Sequence, residues 1–202
     1  MKYLAVDTAN TGLTVIIKNG EQTFFKRDDG CGTQHSVKLM PIIEELLIES
    51  GLNLSELDFL VAVTGAGSFT GIRIGVSTIS ALSLSLNKPV LAVTSFDTMA
   101  YTEKGGSVLA LIDAKHGSFY ACGYKDNKVV IPPSYISLEQ VKELETDYTF
   151  LSIENTEGVN SKKVDAVLGL INAIEFKKQE ITYDLSAISP LYVRKSQAEE
   201  GR

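Results

Sequence analysis

Tryptophan is absent from this 202-residue chain, and cysteine and histidine occur only twice each. Cys31, in a Gly-rich loop, and Cys122, in an expected strand, are too few for a disulfide framework and are read as free thiols. His35 and His116 lie far apart and form no His-x-x-x-His pair, so no metal site is legible. His35 is read as a helix-start residue and His116 as a turn residue. Positive charge is also scarce: 19 Lys and Arg stand against 25 Asp and Glu, a formal net charge of -6. That balance opposes the phosphate-neutralising surface of a nucleic-acid binder. No apolar stretch reaches the roughly 18 to 20 residues of a membrane span, and the first residues lack a signal-peptide pattern. A soluble, cytoplasmic protein is expected. Ser68 is not set in Gly-x-Ser-x-Gly, so nucleophilic catalysis has no local support.

What is present is a composition able to fill a core, with 44% apolar residues against 22% charged. β-rich runs at 3–6, 13–18 and 22–26, with Asn19-Gly20 as a hairpin signal between the last two, predict an antiparallel meander. Over 35–50 the residues Val37, Met40, Ile43 and Leu47 recur at helical spacing beside a second stripe of Leu39, Ile42 and Leu46, and Gly51 supplies a stop. A strand at 59–63 follows. Residues 65–75 then read Gly-Ala-Gly-Ser-Phe-Thr-Gly-Ile-Arg-Ile-Gly and lead into a helix at 71–86, which precedes a buried strand at 90–93. Glycine lets an anion or another backbone come close, and Ser68 or Thr70 can cap the new helix. Gly65, Gly67, Ser68, Thr70 and Gly71 therefore form either an anion cradle or a packing corner.

The helix at 71–86 carries one charge, Arg73. Ile72, Val76, Ile79, Leu82 and Leu86 fill one face, Ile74, Ala81 and Leu84 occupy others, and Gly75 and several serines would admit a close neighbour. Lys104-Gly105-Gly106 breaks the pattern, and strands at 108–112, 118–124, 128–131 and 148–153, with helices at 138–144 and 164–176, repeat the first half incompletely. The expected division is a lobe at 1–103 and a smaller, degenerate lobe at 104–202, each with a mixed sheet and helical crossovers.

Leu4-Ala5-Val6-Asp7-Thr8, His35-Ser36 with Leu39-Met40-Pro41, the loop at 65–75, Ile112-Asp113-Ala114-Lys115 and Pro190-Leu191-Tyr192-Val193-Arg194 together resemble the TsaB (YeaZ) family, from end to end of the chain. Ala66 stands where members often have proline. The resemblance implies an α/β fold of the actin/Hsp70/hexokinase type, built of two ribonuclease H-like lobes. It further implies a non-catalytic part in forming threonylcarbamoyladenosine beside the anticodon of tRNA. The partners would be a larger catalytic homologue, TsaD, which carries the metal, and an ATPase, TsaE. This chain would need no cofactor or metal of its own, would meet tRNA only through the complex, and would form a homodimer when alone.

Within that resemblance Asp7 and Thr8, at the end of the first strand, occupy the place of a phosphate loop and a magnesium-contacting carboxylate, and Asp113 is their counterpart in the second lobe. Asp113-Ala114-Lys115-His116-Gly117 has one glycine among bulky neighbours, so a two-sided nucleotide cradle is degraded. The partner surface is expected on the two apolar helices, at His35, Leu39, Ile42, Leu46, Ile72, Arg73, Gly75, Val76, Ile79, Leu82 and Leu86. The alternative reading is a small ATP-dependent, kinase-like enzyme using Asp7, Thr8 and the glycine turn. A peptidase is weaker still, for want of ligand clusters.

Overall fold

The computed structural model describes residues 1–194; the last eight residues of the expected second lobe, 195–202, lie outside the described part. The described residues divide into two compact units, one of Met1–Ser95 with Ile174–Leu191, the other of Phe96–Ala173 with residues 192–194.

The first unit is built on β1 (Lys2–Asp7), β2 (Leu13–Asn19), β3 (Gln22–Asp28), β4 (Phe59–Val63) and β5 (Val90–Val93), in the order β3-β2-β1-β4-β5. The meander β1-β2-β3 is antiparallel, whereas β4 pairs parallel to β1 and β5 parallel to β4. The hairpin closes one residue later than expected: Asn19 pairs with Gln22, and Gly20, at φ 60°, turns the chain. Parallel pairing requires crossovers. These are α1 (His35–Ser50) between β3 and β4, and α2 (Phe69–Leu86) between β4 and β5. Both pack on the sheet face carrying Leu4, Val6, Leu13, Val15, Ile17, Leu60 and Ala62.

Local chemistry sets the helix ends. Gly51, at φ 66°, ends α1 by donating to the Ile48 carbonyl while Leu52 N–H reaches Leu47 O at 3.2 Å, a Schellman arrangement. Pro41, inside α1, lies on its exposed side, where the carbonyl it leaves unpaired is open to water. Helix α2 starts two residues earlier than its expected first residue, with Ser68 Oγ accepting from Gly71 N–H at 3.1 Å, and ends at left-handed Asn87. At 18 residues and a mean hydropathy of 1.3, α2 has the length and apolarity of a membrane span, contrary to the expectation of no such stretch. Its packing against β4 and β1 instead makes it a core helix of the unit, only a third of whose residues are buried.

In the second unit β6 (Ser107–Asp113), β7 (Ser118–Lys125), β8 (Lys128–Ser137), β9 (Thr149–Ser152) and β10 (Lys162–Lys163) form a sheet ordered β8-β7-β6-β9-β10. Again the first three strands are antiparallel and the last two parallel. Asp126 and Asn127, both left-handed, make the two-residue turn between β7 and β8. Strand β8 runs on through Pro132-Pro133, beyond its expected end at 131, because it is an edge strand, where missing N–H donors are tolerated. The crossovers are slight: α4 (Leu138–Glu143) has six residues, and β9 is joined to β10 by the stretch 153–161, without a helix. Among the described residues two further α-helices are α3 (Ser95–Ala100) and α5 (Ala166–Lys177), and short 3-10 turns lie at Leu54–Glu56, Lys178–Glu180 and Leu185–Ile188.

Candidate functional site

Asp7 sits where β1 leaves the sheet and is almost wholly buried, its carboxylate accepting from Ala9 N–H and from the Asn10 side-chain amide, each at 2.8 Å. Burial pushes its pKa above the usual carboxylate range, although these two donors and the charges of Arg27 and His35 pull the other way. The group therefore spends both oxygens on closing the β1–β2 turn as an Asx turn.

Over that turn lies the start of α2. Ser68 N–H donates to Ala9 O at 2.7 Å, and Thr8 Oγ donates to Gly71 O at 2.6 Å. A Cβ at Gly67 would stand 2.2 Å from Ala9 O, one at Gly71 2.0 Å from Thr8 O, and one at Gly75 2.4 Å from Thr8 Oγ1. Gly67 and Gly71 thus serve backbone-to-backbone approach, Gly75 makes room for the Thr8 side chain, and Ser68 rather than Thr70 supplies the cap. Gly65, at φ 109°, takes a backbone shape that a side chain rarely adopts; its carbonyl accepts from Ser95 N–H, and its missing Cβ makes room for Ile72. Of the two uses open to this loop, the close approaches at Gly67 and Gly71 and the bond from Ser68 N–H to Ala9 O are those of a packing corner.

Asp113 ends β6 as Asp7 ends β1, with a different fate. Its carboxylate takes the Lys115 N–H at 2.7 Å and the Lys115 ammonium at 2.9 Å. Burial raises its pKa, but the hydrogen bonds and charge of Lys115 outweigh that and hold the group below the ordinary aspartate value. Lys115, His116 and Gly117 all have positive φ in this turn.

His35 is buried at the first turn of α1, and its Nε2 has no hydrogen-bond partner among the described residues. No group of three His, Cys, Asp or Glu side chains there is placed to hold a metal. Both cysteines are buried free thiols; burial raises the pKa of Cys31 and pushes that of Cys122 up to about 12, so neither is a thiolate nucleophile near neutrality.

The helix residues expected at a partner surface separate into two groups. Leu39, Ile42, Leu46 and Ile79 belong to the apolar core beneath the helices, and His35, Ile72 and Gly75 are also buried. Their contacts are within this chain, which corrects their assignment to a surface. Arg73 is exposed, its guanidinium 3.8 Å from the centre of the Phe69 ring, and Val76, Leu82 and Leu86 are half-buried. The apolar side chains that reach solvent were mostly not in the expected set: Val37 and Leu84 are each 72% exposed, Ile48 82% and Met40 39%. Periodicity shows that a helix has two apolar stripes; which stripe meets the sheet is fixed only by packing.

Two units that repeat one mixed sheet, three antiparallel strands followed by two parallel ones, give the chain a fold of the actin/Hsp70/hexokinase type. A solved structure described as YeaZ from Pseudomonas aeruginosa has the same fold, with a TM-score of 0.76 at 22% identity, covering 95% of this chain and 99% of that one. The family model for TsaD, tRNA N6-adenosine threonylcarbamoyltransferase, matches residues 29–197. The tRNA threonylcarbamoyladenosine biosynthesis protein TsaB of Bacillus subtilis (strain 168) is 27% identical over 221 residues, 98% of this chain and 96% of the relative. Its counterpart in Escherichia coli (strain K12) is 33% identical over 129 residues, a match spanning 62% of this chain and only 55% of that relative's length. The chain belongs to this threonylcarbamoyltransferase family, within its TsaB/YeaZ group.

Proposed function

We propose that this chain is a non-catalytic subunit in the formation of threonylcarbamoyladenosine on tRNA. It would bind a larger, TsaD-like catalytic homologue through the outward faces of α1 and α2, with a TsaE-like ATPase joining the pair, and would meet tRNA only in that assembly, in the cytoplasm. The observation that carries this reading is the pair of crossover helices: one stripe of each closes the core, while Val37, Met40, Ile48 and Leu84 remain in water. Between them α2 offers small residues, Ser77, Ala81 and Ser85, all exposed, which permit close helix approach. Such a surface is costly to leave wet and suits a second pair of helices. The packing of Gly67 and Gly71 onto the β1–β2 turn supports a binding role over nucleotide chemistry by this chain. Activation of the partner would follow from linkage: the effect is limited to the difference in affinity for its two conformations. When the partner is missing, the same face would pair two copies of this chain.

The test is co-elution of the wild-type chain with its TsaD-like homologue on size exclusion, beside a Val37→Asp/Leu84→Asp variant. Both side chains are largely exposed, so the variant is expected to keep its melting temperature and to lose the complex. A variant that still co-elutes at wild-type affinity overturns this surface.

A further inference from the structure

A groove of about 560 Å³ opens at the C-terminal end of α1, where left-handed Gly51 carries the chain away from the helix axis. Leu47, Ile48, Leu52 and Leu54 give it an apolar lining, and Glu44 and Asn53 add polar groups. Leu52 is continuous with the core below, while Ile48 stands in solvent on the α1 face assigned above to the partner.

The charges around the groove are one-sided. From Pro41 to its end α1 carries Glu44, Glu45 and Glu49, and no basic residue lies in its last turn. The carbonyl end of a helix is its negative pole and ordinarily attracts cations, so these carboxylates lie against the field of their own helix. Glu45 is answered by Lys26 at 2.7 Å. Glu44 and Glu49 are exposed and enter no hydrogen bond or ion pair among the described residues.

We infer that the groove receives a large apolar side chain of the proposed partner, flanked on that partner by a lysine or arginine. The apolar lining takes the side chain out of water, and the cation meets Glu44 at the groove wall, while Glu49 and the helix pole add to the negative potential of this end of α1. The inference rests on the proposed docking of α1 and α2, and it adds the chemistry of the partner group that this end of α1 would take.

The experiment measures affinity for the TsaD-like homologue at low and high salt, using the wild-type chain, Glu44→Lys/Glu49→Lys and Ile48→Asp. Charge reversal is expected to weaken binding by roughly tenfold or more at low salt and to flatten the salt dependence, as removal of an interfacial charge pair does. Ile48→Asp is expected to weaken binding at both salt levels. Unchanged melting temperatures show that loss of binding is not loss of fold. Wild-type binding that charge reversal leaves untouched overturns the groove assignment alone. A wild-type chain that does not bind the homologue overturns the docking reading, and the groove with it.

Discussion

Sheet for sheet, the two units are the same object: three antiparallel strands followed by two parallel ones, in one strand order. Crossover for crossover, they are not. The first unit spans its parallel joins with helices of 16 and 18 residues; the second uses a six-residue helix and the helix-free stretch 153–161. In the second unit Leu138, Val141 and Leu144, with Val159 from that stretch and with Ile131, Ile136 and Tyr148, cover Leu109, Leu111 and Phe119. A short crossover can therefore close this face of the sheet, so the length and outward apolarity of α1 and α2 exceed what closing it requires. The difference teaches where to look for function: in the elements that the repeat did not need.

The sharpest way to break that comparison is to charge each side of one helix. Ile79 is fully buried in the core under α2, and Leu84, further along the same helix, is 72% exposed. Ile79→Asp strands a carboxylate without a partner and is expected to cost about 3 to 5 kcal/mol, enough to unfold the first unit. Leu84→Asp is expected to stay within about 0.5 kcal/mol of wild type in urea titrations. Equal losses at both positions would mean that α2 has no outward side.

A smaller effect separates the two strand-end turns. Gly71→Ala drives a methyl into Thr8 O, backbone against backbone with no flexible side chain to yield, at an expected cost of about 3 kcal/mol. Gly117, in the corresponding turn of the second unit, has nothing within 4 Å of its missing Cβ but holds φ at 71°. Gly117→Ala therefore meets only the left-handed backbone penalty, about 1 kcal/mol. Denaturant midpoints of the two variants check the ranking; a costlier Gly117 substitution would reverse the roles given to these turns.

Much of the fold was legible because its signals are local and redundant. The β-rich runs at 3–6 and 13–18 and the stop at Gly51 needed no tertiary information, and the glycine loop announced a close approach. Its object, Thr8 and Ala9, lies some 60 residues away in sequence, so cradle and corner could not be told apart from the loop alone. Helices α1 and α2 were legible as helices and illegible in orientation, because apolar stripes on two sides give no preference for the sheet. Hence Ile79 and Leu39 were expected on the partner surface, and Val37 and Ile48 were not. The strand β10 was missed for a different reason: Lys162-Lys163 carries no β pattern, and its pairing with Leu151 and Ser152 comes from the sheet that is already there.

The finest difference between the units lies in their two aspartates, and pH reads it. Asp7 is raised by burial, so the folded chain holds its proton more tightly than the unfolded one. Its contribution is complete below the unfolded value of about 4 and declines as pH climbs from there toward the folded value. Asp113 is lowered by Lys115, so its contribution is present above about 4 and is lost as pH falls through the folded value. Asp7→Asn and Asp113→Asn remove these two dependences one at a time. Relative to Asp7→Asn, the wild type should lose stability on the alkaline side of that point; relative to Asp113→Asn, it should lose stability on the acid side. Chemical denaturation across this range gives both differences, and slopes of the same sign would show that the two turns hold their carboxylates alike, whatever their surroundings.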